Sequence, residues 1–249
     1  MRKPERIHLL NSEDKVAFVT GAYGGIGRSV VKMLLESGTK VVATGRSDFR
    51  FKDSDVLHLN LDVTKEKEVK SAIEKCISHF GRLDFLIHLA GMVGSGRLDA
   101  MSLEEWEKVV STNLTSAFLI LKHGYKKIKK PGGVVILCGS SNGYNGGSHL
   151  SGAAYASSKT ALVNLVRYCA KEWAPDGIRV NIVSPGPVDT PMLDRLSKNE
   201  MDDLRSSLPL GRIASPEECA GSILFLCSNH AESMTGTNLN ISSGLVLDA

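Results

Sequence analysis

The chain has 249 residues, 42% of them hydrophobic and 23% charged, with 30 basic and 27 acidic side chains and a formal net charge of +3. That is the composition of a globular chain long enough to bury a large core, and a nearly balanced charge without a long basic block gives no support to nucleic-acid binding. No apolar run approaches the roughly 18 residues a membrane-spanning helix needs, and the N-terminal MRKPERIHLLNSEDK lacks the apolar core of a signal peptide, so a soluble cytoplasmic protein without a membrane partner is expected.

Residues 1–13 read as an N-terminal extension. VAFVT, 16–20, is a short apolar run with the look of a buried strand. Ile26, Val30, Met33 and Leu34 then share one helical face, and Gly38 stops that helix. KVVAT (40–44) and VLHLNLDV (56–63) are the next two strands. Val69, Ala72, Ile73, Cys76 and Phe80 repeat at helical spacing, and LDFLIHLA (83–90) is a fourth strand. Ser102 followed by Glu105 is a capping-box signature that opens a helical region running to about Lys130. The KKIKK run at 126–130 reads as a solvated helix end. GGVVILCGS (132–140) is a fifth strand. A helix covers about 153–173, with Pro175 marking its end, and RVNIVS (179–184) is a sixth strand. Ser215, Pro216 and Glu218 make a second capping box with proline at the first helical position, and TNLNIS (237–242) is the last strand.

Strands alternating with helices from end to end imply an α/β fold. One domain, 1–249, is expected, with a doubly wound parallel sheet of about seven strands and helices on both faces. Cys76, Cys138, Cys169, Cys219 and Cys227 show no CxxC spacing and mostly lie in apolar runs. They predict a reducing compartment, no disulfide framework and no metal site.

TGAYGGIG, 20–27, joins the first strand to the first helix. Its Gly21, Gly25 and Gly27 form a G-x-x-x-G-x-G pattern. Glycines here permit a tight turn and let the backbone approach a pyrophosphate, while the helix N-terminus offers free N–H groups and a positive dipole end. The spacing resembles the T-G-x-x-x-G-I-G motif of the short-chain dehydrogenases/reductases, in the branch whose members are about this long. Further motifs match in order along nearly the whole chain. The resemblance implies a single Rossmann-like domain that binds NAD(H) or NADP(H) and interconverts alcohols and carbonyls. It also implies that Gly21, Tyr23, Gly25, Ile26 and Gly27 line the cofactor, joined by Asp62–Val63 as the family's adenine-contacting pair, although Asp62 also suits local turn chemistry with Thr64. HLAG, 88–91, departs from the family's Asn-Asn-Ala-Gly. Leu89, Ala90 and Gly91 are still expected beside the cofactor, whereas His88, inside an apolar strand, reads as a hydrogen-bonded core residue.

The second strand ends in TGRS, 44–47. In dinucleotide folds an acid at this strand end bonds the 2′-hydroxyl of NAD, and an arginine accepts the 2′-phosphate of NADP. Arg46 therefore favours NADP(H); Asp48, two residues on, and the lack of a basic residue at Gly24 keep NAD(H) possible.

Tyr155 and Lys159, four apart, lie on one helical face. A neighbouring ammonium favours the ionised form of a phenol and makes it a competent general acid/base. In position they look like the family's active-site pair, with both side chains also touching the cofactor. A serine hydroxyl is expected at the end of the fifth strand. Ser141 is preferred, although it stands one residue further from Tyr155 than the family's usual interval, and Ser140 is the alternative. Asn113 matches the family's helix asparagine, which supports a proton relay to the lysine; a plain buried amide is the other reading. Tyr144 and His149 read as loop and pocket wall. SPGPVDTPM, 184–192, resembles the family's segment beside the nicotinamide, which brings in Pro185, Gly186, Val188 and Thr190.

Residues 191–212 mix apolar and charged side chains and read as a substrate lid. A small carbonyl or alcohol is the expected substrate. LGRIASPEE (210–218) resembles the ketoacyl-reductase-like members, which makes 3-oxoacyl-thioester reduction the second choice. A protein that senses NADP(H) without turnover, and an epimerase or dehydratase of the longer branch, are alternatives opposed by Tyr155, Lys159 and Asn113 and by the glycine spacing. The family commonly forms homodimers or homotetramers, so a homo-oligomer is expected.

Overall fold

The structure, a computed structural model, describes residue 12 and residues 14–247. The N-terminal extension expected at 1–13 lies outside the described residues apart from Ser12. Seven strands form the sheet: β1 (Val16–Thr20), β2 (Lys40–Gly45), β3 (Val56–Asn60), β4 (Phe85–His88), β5 (Val134–Cys138), β6 (Arg179–Pro185) and β7 (Asn238–Ile241). Their order is β3-β2-β1-β4-β5-β6-β7, and each neighbouring pair is parallel.

Alternate side chains of the same strand feed two separate cores, because a strand's side chains point to opposite faces in turn. From β1, Phe18 packs with Val42, Leu86, Leu137 and Ile182 beneath α2 (Glu66–Phe80), α4 (Ser116–Gly124) and α6 (Ala153–Trp173). Ala17 and Val19 go the other way, with Val41, Ile87, Ile136 and Val183, beneath α1 (Gly25–Glu36) and α8 (Pro216–Cys227). Burial on both faces explains why these strands read as unbroken apolar runs.

Several boundaries differ from the sequence expectation. The third strand stops at Asn60, because Asp62 Oδ1 accepts both the N–H and the hydroxyl of Thr64 (3.0 and 2.7 Å) and turns the chain. The helix expected from Ser102 to Lys130 is α3 (Leu103–Val110), a π-helical turn (Ser111–Thr115) and α4, which ends at Gly124. Ser102 caps the Glu105 amide at 3.1 Å, but the Glu105 carboxylate bonds the Ser95 amide, so that capping box is only half formed. The box at Ser215–Glu218 is complete, with Pro216 in the first turn. Two helices had no counterpart in the sequence reading: the short α5 (Asn142–Asn145) and α7 (Lys198–Ser206), the latter with its own Ser197–Glu200 box.

The start of the sheet is tied by one buried carboxylate. Asp84 takes the Val16 N–H on Oδ2 (3.0 Å) and both arms of the Arg82 guanidinium (2.7 Å each), joining the entry to β4 to the first residue of β1. Asp84→Ala should therefore lower the unfolding free energy by about 2–3 kcal/mol, the cost of stranding a buried amide and unpairing the guanidinium. Urea denaturation beside Asp84→Asn, which should lose less, checks this.

Candidate functional site

The sheet order reverses between β1 and β4, and ligands of open α/β sheets bind at such a switch point, outside the C-terminal strand ends. Two loops meet there. Gly21 turns with φ +65°, and a methyl group on it would lie 2.8 Å from the Ala90 amide nitrogen, so only glycine allows this approach. Gly24 then leads into α1. Among the described residues no side chain caps that helix and no acid lies in its first turn. Open amides, a positive dipole end and a bare glycine backbone form a cradle that fits a pyrophosphate. Thr190 closes the cradle from the far side, since any side chain at Gly25 would collide with it.

Thr20 holds the two loops in register. Its carbonyl accepts the Leu89 N–H (3.2 Å) and its Oγ1 accepts the Ala90 N–H (3.2 Å). The same Oγ1 lies 2.7 Å from Nδ1 of His88, whose Nε2 lies 3.0 Å from Ser116 Oγ. Ser116 donates its own hydrogen to the Thr112 carbonyl at 2.5 Å. Only one proton arrangement satisfies this chain: Ser116 accepts from His88 Nε2–H, and bare Nδ1 accepts from the Thr20 hydroxyl. His88 is thus a neutral link from the glycine loop to the π turn. Complete burial, aided by the charge of Lys159, pushes its pKa down to about 3.

The π turn closes through Ser116 N–H to the Ser111 carbonyl and carries Asn113, which is 1% exposed. The Asn113 amide accepts from Met92 N–H (2.8 Å) and donates to the Met92 carbonyl (2.9 Å) and Ser158 Oγ (3.1 Å). Ser158 precedes Lys159 on α6. Lys159 is 4% exposed, and its Nζ donates to the Cys138 carbonyl at the end of β5 (2.7 Å). The ammonium lies 5.6 Å from the ring centroid of Tyr155, which is half-buried. A methyl group at Gly91 would sit 3.1 Å from Asn113 Oδ1 and 3.5 Å from Lys159 Nζ. Gly91, Asn113, Lys159 and Tyr155 therefore form one cluster below the cradle.

At the end of β5, Ser141 donates its N–H to the Pro185 carbonyl (2.8 Å), and Ser140 Oγ accepts the Asn142 N–H (3.1 Å). Gly143 packs against the α6 backbone at Lys159 and Thr160, which ties this turn to the helix bearing Tyr155. Gly186 lies against the Ser242 backbone, and Val188 is buried in a bridge to Ala214. Arg46 is exposed beyond β2 and makes no hydrogen bond or ion pair among the described residues. Its charge reaches Asp62. Burial works to raise the Asp62 pKa, but the two Thr64 bonds and the charges of Arg46 and Lys65 outweigh it and hold the carboxyl below its usual range.

At the start of α6, two residues before Tyr155, Ala153 lines a cavity of about 520 Å³ together with Gly96, Arg97, Leu98 and His149. Tyr144 sits on α5 with its hydroxyl buried beside Ser184. Two supporting roles went unread in the sequence: Thr20 opens the glycine motif but carried no expected contact to the 88–91 segment, and Ser158 was one of many serines before the lysine. Among the described residues no group of side chains could hold a metal ion, no helix is long and apolar enough to cross a membrane, and the five cysteines are free thiols.

A family model described as enoyl-(acyl carrier protein) reductase matches residues 21–246. The chain is 35% identical over 247 residues to the 3-oxoacyl-(acyl-carrier-protein) reductase of Escherichia coli (strain K12), covering 96% of this chain and 100% of the relative. It is 33% identical over 248 residues to the acetoacetyl-CoA reductase of Acinetobacter sp. (strain RA3849), covering 95% and 99%. Among solved structures, a short-chain dehydrogenase/reductase from Brucella melitensis, titled glucose/ribitol dehydrogenase, superposes with a TM-score of 0.89 at 29% identity, over 96% of this chain and 99% of that one.

The buried neutral histidine gives the fold an acid weakness. Above pH 6.5 both folded and unfolded chains carry His88 uncharged. Below it the unfolded chain binds a proton that the folded one refuses until about pH 3, so stability falls with pH across that window. Between pH 6.5 and about 5 the loss should be about 2 kcal/mol. Urea titrations at both values should show that His88→Asn removes this part of the slope.

Proposed function

The chain belongs to the short-chain dehydrogenase/reductase family, and on that premise we propose that it reduces a small carbonyl compound to a secondary alcohol with NADPH. Its class of reaction follows from the family: it is an NAD(P)(H)-dependent oxidoreductase acting on the alcohol/carbonyl pair. The observation that carries the residue assignment is the cluster of Tyr155, Lys159, Asn113 and Gly91 directly below the glycine cradle.

A nicotinamide cofactor held in the cradle would supply the hydride. Tyr155 gives its phenolic proton to the carbonyl oxygen as the carbon is reduced. The Lys159 ammonium, fixed by the Cys138 carbonyl, stabilises the phenolate left behind. An ammonium has three N–H groups, and the two not used by Cys138 are available to ribose hydroxyls and to the proton supply. Asn113 supports that supply indirectly, because its amide is committed to Met92 and Ser158 and so holds the π turn against α6. A serine hydroxyl at the end of β5 orients the substrate oxygen. The resemblance to the family's serine pattern favours Ser141, although it stands one residue further from Tyr155 than the usual interval. One observation favours Ser140: its Oγ accepts the Asn142 amide, which fixes the oxygen and leaves its hydrogen free to donate.

For the cofactor we assign the pyrophosphate to Gly21, Tyr23, Gly25, Ile26 and Gly27 at the start of α1. Asp62 and Val63 take the adenine, and Leu89, Ala90 and Gly91 the adjoining edge. Pro185, Gly186, Val188 and Thr190 take the carboxamide end. Exposed, unpaired Arg46 supports a 2′-phosphate, hence NADP(H) over NAD(H). The substrate would enter from the cavity beside Ala153 and His149. The names of the Escherichia coli and Acinetobacter relatives support a 3-oxoacyl thioester as the first compound to try. We also take the chain to be a cytoplasmic homodimer or homotetramer, as is common in the family.

In a carbonyl panel that includes 3-oxoacyl thioesters, followed by NADPH absorbance, Tyr155→Phe should cost at least about 100-fold in kcat/KM. Full activity in that variant would defeat the mechanism. Comparing Ser140→Ala with Ser141→Ala decides between the serines: the one whose loss lowers kcat at unchanged thermal stability carries the hydroxyl.

A further inference from the structure

Gly45, the last residue of β2, pairs with Asn60 in an ordinary strand and has no positive φ. Its backbone does not call for glycine. Space does: a methyl group at position 45 would lie 2.7 Å from Cδ2 and 3.2 Å from Cε2 of the Tyr23 ring. That ring comes from the glycine loop and is 7% exposed. It cannot swing aside easily. Its hydroxyl donates to the Ala43 carbonyl of β2 itself (2.9 Å) and lies 3.1 Å from His58 Nδ1. Phe49, Phe51 and His58 surround it with ring centroids 6.1–6.3 Å away. Arg28 donates to the Tyr23 carbonyl (2.9 Å) and lays its guanidinium 4.1 Å from the Phe49 centroid, while the Arg50 guanidinium lies 5.8 Å from Tyr23.

In dinucleotide-binding sheets this strand end carries the acid that bonds a ribose 2′-hydroxyl. Here the position has no side chain, and an aromatic ring from another loop fills the place where one would start. We propose that Tyr23 and Gly45 form a coupled selectivity device: the ring bars an acidic side chain from the end of β2 and leaves the 2′ position to Arg46, with Arg28 and Arg50 held beside it on the aromatic cluster. This rests on the NADP(H) reading above and adds the residues that enforce it. It also supplies basic groups where the glycine loop has none, since position 24 is glycine.

The test separates the two ideas. The wild-type chain is titrated with 2′,5′-ADP and 5′-AMP, fragments that need no turnover. Binding of 2′,5′-ADP at least about tenfold tighter is expected for a charge-assisted phosphate contact. Equal or tighter 5′-AMP binding would overturn the NADP(H) reading, and with it the cofactor role given to the device. The contact is tested by melting temperature. Gly→Ala at an ordinary strand position normally stabilises, so Gly45→Ala should lower Tm in the wild-type background and raise it in a Tyr23→Ala background. An unchanged or raised Tm in the wild-type background would overturn the proposal whatever the nucleotide preference. Finally, Gly45→Asp should shift the NADH/NADPH affinity ratio toward NADH by at least about tenfold only when combined with Tyr23→Ala, a coupling expected of residues in contact. An equal shift with Tyr23 present would show that the ring is no barrier.

Discussion

Thr20 spans the gap where β1 and β4 send their chains to opposite faces of the sheet. Its carbonyl and hydroxyl both engage the 88–91 segment, so the two walls of the cradle cannot separate without breaking buried hydrogen bonds. The candidate site is hung from that stitch. The glycine loop stays close enough to Ala90 that only Gly21 fits, and Gly91 is left facing Asn113 and Lys159. His88 then carries the same constraint on to the π turn, which sets Asn113 against Met92 and α6.

A second constraint is the burial of a cation. An ammonium that is nearly enclosed needs firm partners, because removing a charge from water is expensive. Lys159 meets the need with a backbone carbonyl, which no substitution can delete. Its presence has a side effect one shell away: a second positive charge close by is disfavoured, which is part of why His88 stays neutral. The polar groups around Lys159 are thus arranged about its charge, with neutral His88 and Asn113 relaying hydrogen bonds beside it.

The fold and the pairing of Tyr155 with Lys159 were legible because they rest on local periodicity: strands as apolar runs, and two residues one helical turn apart. What stayed hidden depends on partners distant in sequence. His88 was plainly a departure, but its bonds run to Thr20 and Ser116, 68 and 28 residues away. The π turn at Ser111–Thr115 leaves no trace in propensity, although an asparagine in a helix hinted at a special position. Gly45 gave no warning either, since the ring that demands it arrives from 22 positions earlier, as the numbering shows. Helix α7 was missed although its signals are local. Met201, Leu204 and Leu208 keep helical spacing behind the Ser197–Glu200 box, but the charged residues between them made the segment read as an irregular lid.

The surface position of α7 has a further meaning. The helix buries none of its residues and closes its own N-terminus through Ser197 and Glu200, while Leu208 just beyond it is the buried anchor. Surface changes that touch no cap or core contact shift stability by only a few tenths of a kcal/mol, about ±0.5 at most. The segment is therefore free to vary while the sheet beneath it stays fixed. A chain built this way can vary this segment over evolutionary time without putting its ability to fold at risk.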